Sequence, residues 1–111
     1  MKFLCLAYGD EAGWNALSEA EKEHVIAADA VIRERGNLMA AVRQEVRTVR
    51  NWDRELVVTE QAYAQHALPL AGFSVIEAAS VEEVIRLVAE TPCARARGYI
   101  EIRPFWNPQA D

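Results

Sequence analysis

Apolar and polar positions divide this chain into alternating strand-like and helix-like stretches. Lys2–Tyr8 (KFLCLAY) is almost continuously apolar and ends at Gly9-Asp10. That pattern predicts a central strand buried on both faces. Ser18-Glu-Ala-Glu21 has the S-x-x-E form of a capping box, and Gly36 marks the stop of a helix that runs to about Arg35. At helical spacing Leu17, His24, Val25, Ala28, Val31 and Ile32 fall on one side, while Ile26 points away and calls for a second contact such as another subunit.

Leu38–Arg50 reads as one long strand of mixed parity, Asn51–Arg54 as a hairpin turn and Glu55–Thr59 as the returning strand. In Glu60–Leu70 the positions Ala62, Tyr63, His66, Ala67 and Leu70 form a short helical stripe limited by Pro69. Ala71–Glu77 returns to strand, and Ser80-Val-Glu-Glu83 is a second capping box. It opens a helix with Val81, Val84, Ile85 and Val88 on its apolar face, which ends near Thr91-Pro92. Gly98–Arg103 alternates as the last strand, and Pro104–Pro108 is a rigid aromatic tail.

The order β-α-β-β-(short segment)-β-α-β predicts an α+β, ferredoxin-like sandwich: two helices on one face of a mostly antiparallel sheet of four or five strands. Apolar side chains occur on both parities of several strands, so the face without helices needs a cover. A second copy packed sheet to sheet is the simplest one, and a homodimer is expected.

At 111 residues the chain is expected to be a single domain over 1–111, long enough to bury a core without staples. Its net charge of −5 argues against nucleic acid and anionic membrane surfaces as partners. Cys5 and Cys93 belong to no CxxC or zinc-type spacing and read as free thiols. The first apolar run is too short for a membrane span or a signal segment, so a cytoplasmic location is expected. No Walker, GxGxxG, nucleophile-elbow or HExxH pattern occurs, and neither cofactor nor metal is expected.

Three stretches carry a family resemblance. "MKFLCLAYGDEAGW" and "GYIEIRPFW" resemble the two ends of YCII-related proteins of the DGPF-motif branch. "VVTEQAYAQHALPLAGFSVIEAASVEEVIRLV" resembles that branch's third strand, signature loop, fourth strand and second helix. Where the branch carries Asp-Gly-Pro-Phe, this chain has Glu60-Gln61-Ala62-Tyr63: the outer acid and aromatic remain and the Gly-Pro turn is gone. The resemblance implies a dimeric α/β barrel, in which ferredoxin-like subunits pair sheet to sheet with a cleft in each. It also implies chemistry on small organic molecules by an Asp after the first strand and a His in the first helix. Those positions correspond to Asp10 and His24.

Asp10 and His24 are therefore the catalytic candidates, His24 as acid/base and Asp10 orienting it, with a turn residue and a core histidine as the plain alternatives. An Asp–His pair without a Ser or Cys nucleophile points to cofactor-independent lyase, isomerase or hydrolase chemistry rather than an acyl-enzyme. The ligand-binding candidates are Tyr8 at the strand end, Trp14 beside the Asp10 turn, Arg43 as a carboxylate or phosphate contact, and Glu60, Tyr63 and His66 in the signature segment. Trp52, Phe105 and Trp106 read as core or dimer contacts. The competing function is a non-enzymatic ligand-binding or regulatory module, which the altered EQAY segment favours.

Overall fold

The computed structural model describes residues 1–109, so the last two residues of the domain expected over 1–111 lie outside the described part. The elements run β1 (Lys2–Tyr8), α1 (Glu11–Asn15), α2 (Glu19–Glu34), β2 (Leu38–Ala41), β3 (Thr48–Trp52), β4 (Glu55–Thr59), β5 (Leu70–Glu77), α3 (Val81–Val88), α4 (Pro92–Arg95) and β6 (Tyr99–Pro104). Four strands form one sheet in the order β2-β5-β1-β6, with every neighbour antiparallel. The architecture is α+β, with helices on one sheet face.

Register decides what each face carries. Phe3 lies opposite Ile76 and Cys5 opposite Ser74 and Ile102, and these side chains share the face under the helices. Phe3, Ile76, Val25, Ile32 and Val84 are the largest fully buried side chains. Leu4 opposite Val75 and Leu6 opposite Phe73 share the other face and stay only half-buried. β1 is central, as its apolar run predicts, yet one of its faces lacks cover within the subunit.

Both capping boxes start helices. At α2 the box is complete: Ser18 Oγ accepts from the Glu21 amide at 3.1 Å and Glu21 Oε1 accepts from the Ser18 amide at 3.0 Å. At α3 Ser80 Oγ accepts from the Glu83 amide at 3.2 Å, while Glu83 Oε2 reaches one residue further back, to the Ala79 amide at 3.2 Å. Asn37 ties the end of α2 to the sheet, donating to the Ile32 carbonyl and accepting from the Glu77 amide, each at 3.1 Å.

The structure corrects three expectations. The long strand over Leu38–Arg50 is two strands: β2 stops at Ala41, and β3 begins at Thr48 in a separate hairpin with β4. The intervening Arg43-Gln44-Glu45 is exposed, where a polar run has no sheet neighbour to favour pairing. The hairpin turn is Asp53-Arg54 alone, both left-handed with φ of 54° and 65°, as two-residue hairpin turns require. The 62–70 segment holds no helix, since one short stripe ending at proline lacks the length to stabilise one. Two short helices, α1 and α4, were not signalled by any periodicity, being barely one turn each.

These two short helices lock against the chain by backbone contact. A Cβ on Gly13 would overlap the Ala96 carbonyl, and one on Gly98 would overlap the carbonyl of Tyr8 and crowd that of Cys93. Gly98→Ala is therefore expected to destabilise the fold by on the order of 2–3 kcal/mol, because backbone and not a flexible side chain must yield. Urea unfolding checks this: the midpoint falls with an unchanged slope.

Candidate functional site

Asp10 follows the buried Gly9, whose amide donates to the Pro69 carbonyl at 3.1 Å. Asp10 caps α1, its Oδ1 accepting from the Gly13 amide at 2.9 Å. The carboxylate thereby satisfies a helix-start donor, the ordinary work of an N-cap aspartate. It also lines a cavity of about 330 Å³ with Trp14, Val42, Gln44 and Leu70. Lys22 Nζ stands 5.6 Å from the centre of the Trp14 ring.

A second cavity of about 340 Å³ lies between α2, the start of α4 and the helix-side face of the sheet. Asp29, Arg33, Ser74, Thr91, Cys5 and Cys93 supply its charged, polar and thiol groups, and Ile32, Met39 and Ile100 much of its apolar wall. The two cavities adjoin, since Ala71, Pro92 and Cys93 line both. Gly9 keeps this junction narrow: a Cβ there would stand 3.0 Å from Cys93 Sγ.

Asp29 is the carboxylate that the helix phase carries into this groove. It lies four residues after Val25 and three before Ile32, both fully buried. Burial pushes its carboxyl above the usual carboxylate value, with the Arg33 charge acting in the opposite direction. Cys93 is pushed up as well, first by burial and then by the negative charge of Asp29. Burial likewise raises Cys5, against a lowering hydrogen bond with Ser74. Both thiols are therefore protonated at neutral pH and poor nucleophiles. Asp29 escapes a search for motifs; its signal is a charged residue inside the stripe of Val25 and Ile32.

The structure does not bring Asp10 and His24 together. His24 precedes the fully buried Val25, about 100° around the helix, and its side chain is 57% exposed. Its ring Nε2 lies 3.9 Å from Glu90, which in turn holds Arg95 at 2.6 Å; Arg95 also reaches Glu21 at 3.7 Å. His24 lines neither cavity of the groove. The hydrophobic face is narrower than the sequence stripe implied: Val31 is also 49% exposed, on the same flank as His24.

The ligand-binding candidates separate too. Tyr8 and His66 meet, with ring centres 4.7 Å apart, and line a cavity of about 400 Å³ with Tyr99 and Glu101. Tyr8 and Tyr99 are register partners on the face opposite the helices, so this pair lies across the sheet from Asp29. Trp14 alone of this group lines the groove. Arg43 pairs with Glu45 at 2.6 Å and Glu60 with Arg47 at 3.5 Å, all exposed, and Tyr63 is 91% exposed. Among the described residues no group of three or more His, Cys, Asp or Glu stands close enough to hold a metal ion. No helix among them is long and apolar enough to cross a membrane.

An antiparallel sheet with helices on one face and a groove between the two layers defines an α+β sandwich with an internal cleft. The YCII-related domain model matches residues 1–107, and the chain belongs to that family. The fold is similar to that of 5-chloro-2-hydroxyhydroquinone dehydrochlorinase (TftG) from Burkholderia phenoliruptrix AC1100, solved in complex with 2,5-dihydroxybenzoquinone. That match has 13% identity and a TM-score of 0.48, and covers 100% of this chain and 99% of that one. No curated protein matches the chain.

Asp29 is bound to fewer protons in the unfolded chain than in the fold, so its contribution to stability falls as pH rises from the usual carboxylate range through its raised value. Asp29→Asn removes that loss. Its melting temperature is expected to exceed the parent's at pH 7, with the difference closing as pH drops below the ordinary Asp value of about 4. His24→Ala, at an exposed pair, is expected to leave the melting temperature within about a degree of the parent. Thermal melts of both variants across pH check the two outcomes together.

Proposed function

We propose that this YCII-related protein binds a small organic molecule in the groove between α2, α4 and the sheet, with Asp29 as its acid/base group. The observation that carries this reading is the pair of adjoining cavities meeting at Cys93, with the half-buried Asp29 carboxyl and Arg33 set in a wall that Ile32, Met39, Val88 and Ile100 make largely apolar. Mostly apolar clefts with a few converging polar groups are the usual form of small-molecule sites. A carboxyl raised by burial is better matched to proton transfer near neutral pH than an ordinary one. Cofactor-independent lyase, isomerase or hydrolase chemistry fits a single carboxyl beside unactivated thiols. Asp10 and Trp14 border the entrance, where Asp10 supports the turn more than the chemistry.

Binding without turnover is the second reading. It is favoured by the separation of Asp10 from His24, which leaves Asp29 without a paired base in the groove. The two readings share the same pocket and differ at one residue. Amide shifts in a labelled sample, titrated with a panel of monocyclic aromatic and short-chain apolar fragments, are expected to move around Asp29, Ala71 and Cys93. Ala71→Trp, which fills the junction of the cavities, is expected to abolish those shifts while the protein stays folded. Shifts confined to the Tyr8–His66 side, or none at all, would overturn the assignment. Where a fragment is converted, Asp29→Asn is expected to lower turnover by two to four orders of magnitude, roughly the contribution of a positioned acid or base, with binding retained.

The reading includes a homodimer formed through the sheet face that carries Leu4, Leu6, Phe73 and Val75. These side chains are only half-buried, and Leu38 and Tyr99 on the same face are 58% and 71% exposed. Light scattering is expected to give a mass of twice the 12.4 kDa chain, and Val75→Lys is expected to return it to one.

A further inference from the structure

Arg33 stands in the last turn of α2, four residues after Asp29. An acid before a base at this spacing is the favourable order for an ion pair along a helix, with the roots of the two side chains about 5–6 Å apart. No such pair closes. Among the described residues no carboxylate lies within ion-pair distance of the Arg33 guanidinium. Arg33 Nη2 instead donates to Met39 Sδ on β2 at 3.4 Å, and a thioether is a weak acceptor. Nor does the guanidinium cap its own helix. The Arg35 and Gly36 amides donate to the Ile32 and Arg33 carbonyls, and the Asn37 side chain donates to Ile32 as well. The negative end of α2 accounts for a cation in this turn, but not for its reach across to β2.

That reach sets Arg33 on the wall of the cavity of about 340 Å³, open to solvent, with the half-buried Asp29 on the same wall. Among the described residues these two are the charged side chains of that cavity. A guanidinium has five N–H donors in a planar fork, and here one weak acceptor engages it. Its geometry matches a carboxylate, which takes two parallel hydrogen bonds. A phosphate ester brings close to two negative charges at neutral pH, and no second cation lines the cavity among the described residues to offset them. We propose that Arg33 sets the substrate class of this groove: it holds the carboxylate of a small monocyclic or short-chain organic acid, whose apolar part lies against Ile32, Met39 and Ile100 within reach of Asp29. The inference rests on the groove reading above and goes further, because it names the ligand by its charge. The helical spacing holds the bound anion about one turn away from Asp29, and burial, which disfavours the charged form of Asp29, limits the repulsion between them. The net charge of −5 opposes anions at long range, so a preference for them has to come from Arg33 locally.

Matched acids and carboxamides test this: benzoate against benzamide, phenylacetate against phenylacetamide, and hexanoate against hexanamide. Each is titrated into the isotope-labelled parent, Arg33→Gln and Arg33→Lys, and backbone shifts at Ala71 and Cys93 report occupancy of the groove. In the parent at least one acid is expected to bind about tenfold tighter than its carboxamide, as a hydrogen bond to a charged group allows. Arg33→Gln is expected to erase that difference and Arg33→Lys to keep part of it. Arg33 is exposed, so both variants are expected to melt with the parent. Carboxamides that occupy the groove as tightly as their acids in every pair would overturn the substrate class and leave the groove reading in place. An acid preference that Arg33→Gln leaves unchanged would overturn the part given to Arg33. Shifts at Ala71 and Cys93 from none of the six compounds would overturn this inference, while the groove reading is decided by the wider panel of neutral fragments.

Discussion

β1 is apolar on both faces, and the two long helices of this chain cover one side of a sheet. On that side Phe3 and Cys5 are sealed with Ile76, Ile32 and Val84 into a continuous core. On the other, Leu4 and Leu6 sit among Phe73 and Val75 with solvent still reaching them. The strand order β2-β5-β1-β6 places this two-faced strand in the middle, where its backbone is paired on both edges. Backbone pairing is thus complete for β1 while side-chain burial is not. The groove on one face and the apolar surface on the other are two results of the same one-sided layering.

The groove owes its shape to contacts between backbones. α4 is a single turn opened by Pro92 and capped without a side chain, too short to hold itself in place. Gly98 and Gly13 let the chain press against it at distances no Cβ permits. The buried Thr91 hydroxyl, donating to the Val88 carbonyl at 2.6 Å, fixes the link from α3 into α4. Cys93 consequently arrives at the junction of the two cavities by way of main-chain packing. Its thiol is a wall of the site, held against Gly9, and its raised pKa suits that passive part.

Elements with long or punctuated patterns were legible. The first strand, the capped helices, the 55–59 strand and the returning strands near 71 and 98 all stand within about a residue or a turn of where the sequence puts them. The alternation of Val42, Gln44, Val46 and Thr48 misled, because parity reports a pleat and not a neighbour to pair with. The site was less legible. Asp10, a catalytic candidate with a turn residue as the plain alternative, takes the place of that alternative as the cap of α1, and Trp14 beside it lines the groove. His24 was placed by a stripe drawn wider than the buried arc of α2, which holds only Val25 and Ile32 as fully buried residues. Asp29 lies inside that arc, where a carboxylate conflicts with its surroundings. Such local disagreement between residue and environment is a stronger marker of a site than agreement with a helix face.

The hairpin turn carries strain of its own. Asp53 and Arg54 both hold left-handed backbone, a conformation that Asn-Gly would adopt with less strain and that costs a residue such as arginine roughly 1 kcal/mol or more. No core contact rewards that cost inside the subunit. The body, with its local caps and neighbouring antiparallel strands, is held by its own core, whereas the strands of the hairpin pair only with each other. A single change at its tip, Arg54→Gly, would remove that strain from the turn without touching any contact of the core.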